Sequence, residues 1–563
     1  MAIGRAIVLV WADIMALYTL FIMMVYLTDV WKLGFSHAAA IINVFWGLSL
    51  ALPLLLKFIV DTISGNFWML LISSMAYCAG MGFLTMSTPP VLANAMGTCS
   101  EYKPECVGEG QKMLFYTALA LISLGLSGHL TCFGSFVAEQ VIITIDNLFQ
   151  EMDNMFEQMS DIMNNDNMFR SICCMWFRTL CSAYFVIIMV FAAITAVTYI
   201  NPWSLRFGIP AICTVAATLI FLTGVCSYKY VKPQGSPITN IFRVFVASAT
   251  KLFDKCFDKA AIVLPTQPFE EQKKNRWRLC TVTEVEETKT IIRMIPISMT
   301  LIMCGVVISI GFTYFVEQVN HLNPKFIFFK VPLPVFLGVY QLAQGVGCSS
   351  YQFVQSLANC FCKSRARKYA PSIGMGVSMV LAILCCITAA KVENRRLGVV
   401  QKHGLVDKPD ERVPMSMFWM LPQFILLGMF YGLLEISTIC FFIDQYPVSI
   451  NSLYLPFVVI GLFGLGILGS VLSVYVVGKV SERGGNMNWF QHNLNGSRVD
   501  KYYWTLAWLM AVNLAIFIVV AIIYQYKESE TEDEEDDGGE EDEEGGIQEP
   551  YSGEVAECCC CCG

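Results

Sequence analysis

Charge is what this sequence has least of. Only 15% of its 563 residues are Asp, Glu, Lys or Arg, while 56% are hydrophobic and the mean hydropathy is +0.57. Soluble domains rarely look like this, so a string of water-soluble domains is excluded. Histidine is scarce too. The five histidines lie far apart, and no His, Cys, Asp or Glu set has metal-ligand spacing. There is no phosphate-cradling glycine loop and no nucleophile elbow, so no enzyme chemistry and no cofactor is expected. The interior basic patch that nucleic acid requires is also missing.

In their place are long apolar runs. Twelve segments of about 20 residues could each cross a bilayer core of roughly 30 Å: 7–28, 38–59, 67–88, 113–137, 179–200, 208–228, 291–315, 333–356, 371–391, 414–439, 453–479 and 503–526. The first lacks a small-residue cleavage site and reads as a signal anchor. The net charge of −8 hides an asymmetry: 16 acidic residues and no Lys or Arg fall in 528–563, leaving the remainder basic. Twelve Lys/Arg lie in 229–293 and four more in "CKSRARKY" (362–369), which places both loops and both termini in the cytosol. The Lys/Arg-rich loop at 391–412 then falls outside, against that tendency. The expectation is an all-α polytopic membrane protein. Residues 1–228 would form one six-helix bundle and 229–290 a basic cytosolic linker with an amphipathic helix. A second bundle would occupy 291–526, ahead of a solvated acidic tail over 527–563 that ends in "CCCCCG". That ending does not fit a prenylation box, whose middle positions are aliphatic. Most of the 23 cysteines lie within spans as small hydrophobes; Cys99 and Cys106 instead flank "SEYKPE" in an outside loop, as a candidate disulfide.

Several stretches resemble the plant nitrate and peptide transporter family, within the proton-dependent oligopeptide transporters. They include "YKYVKPQGSPITNIFRVFVAS" (228–248), "FDKAAIV" (257–263), "WRLCTVTEVEETKTIIRMIPI" (277–297), "MSMFWMLPQFILLG" (415–428), "FFIDQYP" (441–447) and "NWFQHNLNGSRVDKYYWTLAWLMAVNLAIF" (488–517). The resemblance spans roughly 4–527. It implies the major facilitator architecture, twelve helices in two six-helix bundles, and secondary transport of a small organic or peptide-like solute by alternating access. It also implies a plasma-membrane or vacuolar location, with the bilayer, the solute and protons as partners. "DTISGNFW" (61–68) resembles the family's loop motif, with Asp61 at a helix end and Gly65 allowing a tight bend, although Asn66 stands where a basic residue is common.

The departures concern coupling. The family's first span carries Glu-x-x-Glu followed by a cation. Those positions fall here on Leu9, Ala12 and Asp13, so both acids are gone and the cation is inverted. The fourth-span lysine falls on Leu130, beside His129. The tenth-span glutamate falls on Tyr431, with Glu435 one turn further on. The nitrate-type histidine of the seventh span has no counterpart. The alternative reading is therefore a transport-incompetent relative acting as a membrane sensor or regulatory protein.

A carboxylate in hydrocarbon is costly, so Asp13 is expected either in an ion pair with Arg178 or Lys57 or in a proton or substrate role. His129, in the small-residue segment "SGHLTCFG", is either a satisfied core residue or a protonation site. Glu435 is either a pathway carboxylate or the partner of a cytosolic-side cation. Tyr431 and Trp46 either pack or line the pathway, and Glu139 holds a gate or cap. Met and Phe recur at helical spacing in 146–169, as on a surface amphipathic helix. Asn495-Gly-Ser497 is a candidate glycosylation sequon.

Overall fold

The computed structural model describes residues 2–156, 200–231 except 201, scattered positions of 233–246, 280–445 except 327–328, 362–363 and 410, and 455–524. Eleven of the twelve expected spans fall on described helices; the fifth, 179–200, lies outside the described residues, as do Arg178, most of the linker and the acidic tail.

The helices are α1 (Ala2–Phe21), α2 (Met23–Asp29), α3 (Phe35–Ile59), α4 (Gly65–Met86), α5 (Pro89–Met96), α6 (Glu109–Phe156), α7 (Trp203–Leu222), α8 (Val282–Phe312), α9 (Tyr314–His321), α10 (Val335–Phe361), α11 (Ser364–Lys402), α12 (Leu421–Gln445), α13 (Leu455–Ser481) and α14 (Val499–Ile523). Helices α1–α7 pack among themselves, as do α8–α14, and α3 packs along α13 to join the two bundles. One membrane face carries Arg5, Asp61, Thr223 and Val282; it is the terminal face below, and the opposite one is the distal face.

Three boundaries differ from the sequence reading, each where a helix outlasts its apolar stretch. The α6 helix continues to Phe156, α8 begins at Val282 ahead of the expected span, and α11 runs to Lys402 across much of the expected 391–412 loop. The start of α8 is fixed by a capping box: Thr281 Oγ1 accepts from Glu284 N at 3.2 Å and Glu284 Oε2 from Thr281 N at 3.0 Å.

Bilayer hydrocarbon offers no hydrophobic drive between helices, so close approach depends on small residues. A Cβ at Gly466 would strike the backbone of Ile302, and one at Gly305 that of Phe463, which lets α8 and α13 touch backbone to backbone. The same device works between the bundles. A Cβ at Gly464 would lie 2.6 Å from Ala51 N, and one at Gly47 would lie 2.6 Å from the Leu468 side chain.

Both bundles break their first span. The α1/α2 pair interrupts at Ile22 (φ −87°, ψ 7°) and the α8/α9 pair at Thr313 (φ −122°, ψ −84°). Interrupted helices at matching positions of paired halves commonly border a transporter's substrate path.

The distal loops are tied down. Cys99 and Cys106 form a disulfide across seven residues, with Cα atoms 4.8 Å apart. Asn495 is built into the fold rather than presented to a glycan. It is 4% exposed, its Nδ2 donates to Leu405 O at 3.1 Å and its Oδ1 accepts from Arg396 Nη1 at 2.7 Å. One amide hydrogen of Asn495 is thus committed to Leu405 O while the side chain is held against the distal loops.

Candidate transport pathway

Helical rise places the polar residues. At about 1.5 Å per residue, Asp13 lies about 14 Å above Gly4 at the terminal end of the first span, and Glu435 about 15 Å above Gln445 at the terminal end of α12. The two carboxylates thus sit at similar depth, one in each bundle.

In the first bundle, His129 Nδ1 meets Asp13 Oδ2 at 2.9 Å, and His129 Nε2 meets Ser74 Oγ at 2.8 Å. The ring edge faces Tyr77, with centroids 5.5 Å apart. Ser74 Oγ also lies 2.8 Å from Leu70 O. The chain of contacts suits two protonation states. With neutral His129, Nδ1–H donates to Asp13 and the Ser74 hydroxyl donates to Nε2. With the imidazolium, both ring nitrogens donate and the Ser74 hydroxyl turns to Leu70 O. His129 can therefore hold or release a proton without leaving either ring nitrogen unpaired.

Asp13 thus closes on His129, while Lys57, one of its expected partners, lies 3.0 Å from Asp61 within its own turn. His129 is 4% exposed and meets Asp13, whereas the neighbouring Leu130 is 39% exposed. Leu9 and Ala12 are packed into the apolar core of this bundle.

In the second bundle, Gln344 Nε2 donates to Glu435 Oε2 at 3.1 Å. Tyr431 is in ring contact with Tyr340 and Phe463. On the distal side, Tyr18 donates across the seam to Gln341 Oε1 at 2.6 Å. Trp46 packs at a tilt on Phe312, which meets both Phe21 and Tyr340, so aromatic rings from both bundles cluster on this side of the carboxylates.

The distal ends are also joined. Thr28 donates to Glu317 Oε2 at 3.1 Å and Phe35 N donates to His492 O at 3.2 Å. Behind Glu317 stands a buried network that the sequence reading missed. Arg396 donates to both oxygens of Glu393 at 2.7 and 2.8 Å, and Gln318 Nε2 donates to Glu393 Oε2 at 2.7 Å. Tyr503 in turn donates to Gln318 Oε1 at 3.2 Å. The signal was "KVENRR" (391–396), four charges directly after the apolar stretch 371–390 of α11.

At the terminal face the expected loop motif assembles. Val60–Ser64 form one π-helical turn, Gly65 adopts φ +71° and Gly235 N donates to Asp61 O at 2.9 Å. Asn66 donates to Glu139 Oε1 at 2.6 Å, which ties the turn to α6.

Residues 67–490 match the PTR2 family, the POT family. The chain belongs to the POT family. It is 38% identical over 547 residues to protein NRT1/PTR FAMILY 5.5 of Arabidopsis thaliana, covering 92% of this chain and 96% of that one. An auto-inhibited POT family peptide transporter has the same fold, with a TM-score of 0.62 at 15% identity, over 94% of this chain and 98% of that one. A POT family transporter solved in complex with 5-aminolevulinic acid superposes with a TM-score of 0.54 at 11% identity, over 93% and 96% of the two chains. This POT-family chain is thus a multi-pass membrane transporter of major facilitator architecture, and not an enzyme.

Proposed function

We propose that the protein carries a small organic or peptide-like solute through the seam between its bundles by alternating access, coupled to protons. The observation that carries the reading is the pair of protonatable sites at similar depth in opposite bundles: Asp13–His129–Ser74 in one and Glu435–Gln344 in the other. Coupling between rocking halves needs such groups to change environment between the two states. The closed distal face, with Thr28–Glu317 and Tyr18–Gln341 bridging the bundles, supports a state that opens toward the terminal face. A plasma-membrane or vacuolar location belongs to the same proposal and is read by imaging the tagged full-length chain.

The charge at the site favours cationic, zwitterionic or neutral solutes over simple anions. Its formal charges are two carboxylates and at most one imidazolium. Swapping a cation for an anion about 4 Å from a bound ion changes its energy by several kcal/mol at an effective dielectric near 20. Nitrate is expected to be a poor substrate. Oocytes expressing the protein should take up nitrate at no more than the control rate, while a panel of zwitterionic and neutral solutes yields pH-dependent flux. Saturable nitrate uptake would contradict the assignment of the pathway to Asp13 and His129.

The second reading is a transport-incompetent sensor, favoured by Leu9 and Ala12 standing where the family pattern has acids. Surface-expressed protein that moves no member of the panel at either of two pH values would replace the first reading with this one. The orientation is tested separately. Cysteines introduced in 265–275 should resist an impermeant thiol reagent applied outside and react once the membrane is permeabilised.

A further inference from the structure

The segment joining α13 to α14 at the distal face is "ERGGNMNWFQHNLNGSR" (482–498), and it folds into a fixed cover. Trp489 N donates to Ser481 Oγ at 3.1 Å, Arg498 N to Trp489 O at 2.8 Å and Gln491 N to Ser497 Oγ at 2.9 Å. Beneath this cover lies a cavity of about 610 Å³. Its lining includes Arg483, Arg498 and Lys501 and no Asp or Glu, while the lining residue Asn488 donates to Glu482 Oε1 at 2.8 Å.

The three cations are only partly neutralised. Arg498 makes a two-pronged pair with Asp500 at 2.8 and 2.9 Å. The Lys501 ammonium lies 5.3 Å from the Trp489 ring centroid. The Arg483 guanidinium has no hydrogen-bond or ion-pair partner among the described residues. The cavity is therefore electropositive. One wall is different: Val476 and Val480 belong to the last turns of α13 and are 48% and 52% exposed, on the lipid side. Trp504, one turn into α14, is also exposed, as suits a ring at the headgroup level. Cations above and hydrocarbon below, at the end of two spanning helices, match a molecule with an anionic head and apolar tails.

We propose that this cavity holds the phosphate of a membrane phospholipid, with its acyl chains lying along Val476 and Val480. Arg483 and Lys501 contact the phosphate, and Arg498 lends its charge from the Asp500 pair. A free inorganic anion would use the cations and leave the valine wall without a role, so the lipid is the occupant the lining favours.

The test uses the full-length protein purified in detergent, with native mass spectrometry and thermal unfolding as readouts. Dioleoylphosphatidylglycerol, dioleoylglycerol and inorganic phosphate serve as probes. One phosphatidylglycerol per chain should be retained and should raise the unfolding midpoint, whereas dioleoylglycerol, which has the tails without the phosphate, should do neither. R483Q/K501Q should weaken retention of that lipid about tenfold. V480W, which fills the apolar wall and leaves the charges in place, should lose the lipid while keeping its lipid-free midpoint. Equal retention by wild type and both variants, or equal retention of dioleoylglycerol, would overturn the site. Displacement of the lipid by equimolar inorganic phosphate would overturn the lipid assignment in favour of a free-anion site.

Discussion

Arg396→Met should destabilise the protein more than any other single change in the second bundle, by about 3–5 kcal/mol, the usual cost of leaving one member of a buried ion pair alone. Both side chains are 1% exposed, and Arg396 also donates to Asn495 Oδ1 and Leu494 O. The change would strand the Glu393 carboxylate with Gln318 as its remaining donor and free the loop that Asn495 anchors. Glu393→Met/Arg396→Met should be milder than Arg396→Met alone, because no buried charge is left unpaired. Thermal unfolding of the three purified proteins in detergent checks the order. An Arg396→Met midpoint equal to wild type would mean that water reaches the network.

Glu435→Gln should abolish most of the pH dependence of uptake. Gln keeps the volume and the contact with Gln344 while removing the ionisable oxygen. If Glu435 carries the coupled proton, uptake at pH 5.5 should fall about tenfold, a change of about 1.4 kcal/mol in the barrier. The ratio of rates at pH 5.5 and 7.5 should then approach one, with surface expression unchanged. Asp13→Asn is expected to act on the same ratio by another route. The amide oxygen still accepts from His129, but an imidazolium there would no longer have a counter-charge beside it. Were both amides to transport with a wild-type pH profile, neither group would carry the proton, and Asp13–His129 would be a structural pair.

Much of the fold was legible because a bilayer makes one demand, that backbone groups pair within a long apolar helix, and length and hydropathy report it directly. The boundaries were harder. At 391–402 and 282–290 the apolar signal stops while the helix continues through charged residues, and hydropathy alone then reads a helix as a loop. The candidate site was legible in its membership and not in its pairing. Asp13, His129 and Glu435 stood out as ionisable residues in apolar runs. That Asp13 meets His129, 116 positions away, depends on the rotation of α6, and one residue of register turns a helix by about 100°. Glu393 and Arg396 were passed over because a charged stretch next to an expected loop reads as solvated surface. Only tertiary packing shows that they are buried.

The glycine seam has a mechanical consequence. Where α3 and α13 meet at Gly47 and Gly464, main chains lie close enough that no side chain can be inserted between them. A surface of that kind resists sliding, since any shift along the helix axis would bring larger neighbours into the gap. It tolerates rolling, because two smooth cylinders can change their angle about a line of contact. Under the proposed alternating access, the glycines would act like the knuckle of a hinge, with the carboxylates exposed first to one compartment and then to the other while the spacing at this line stays constant.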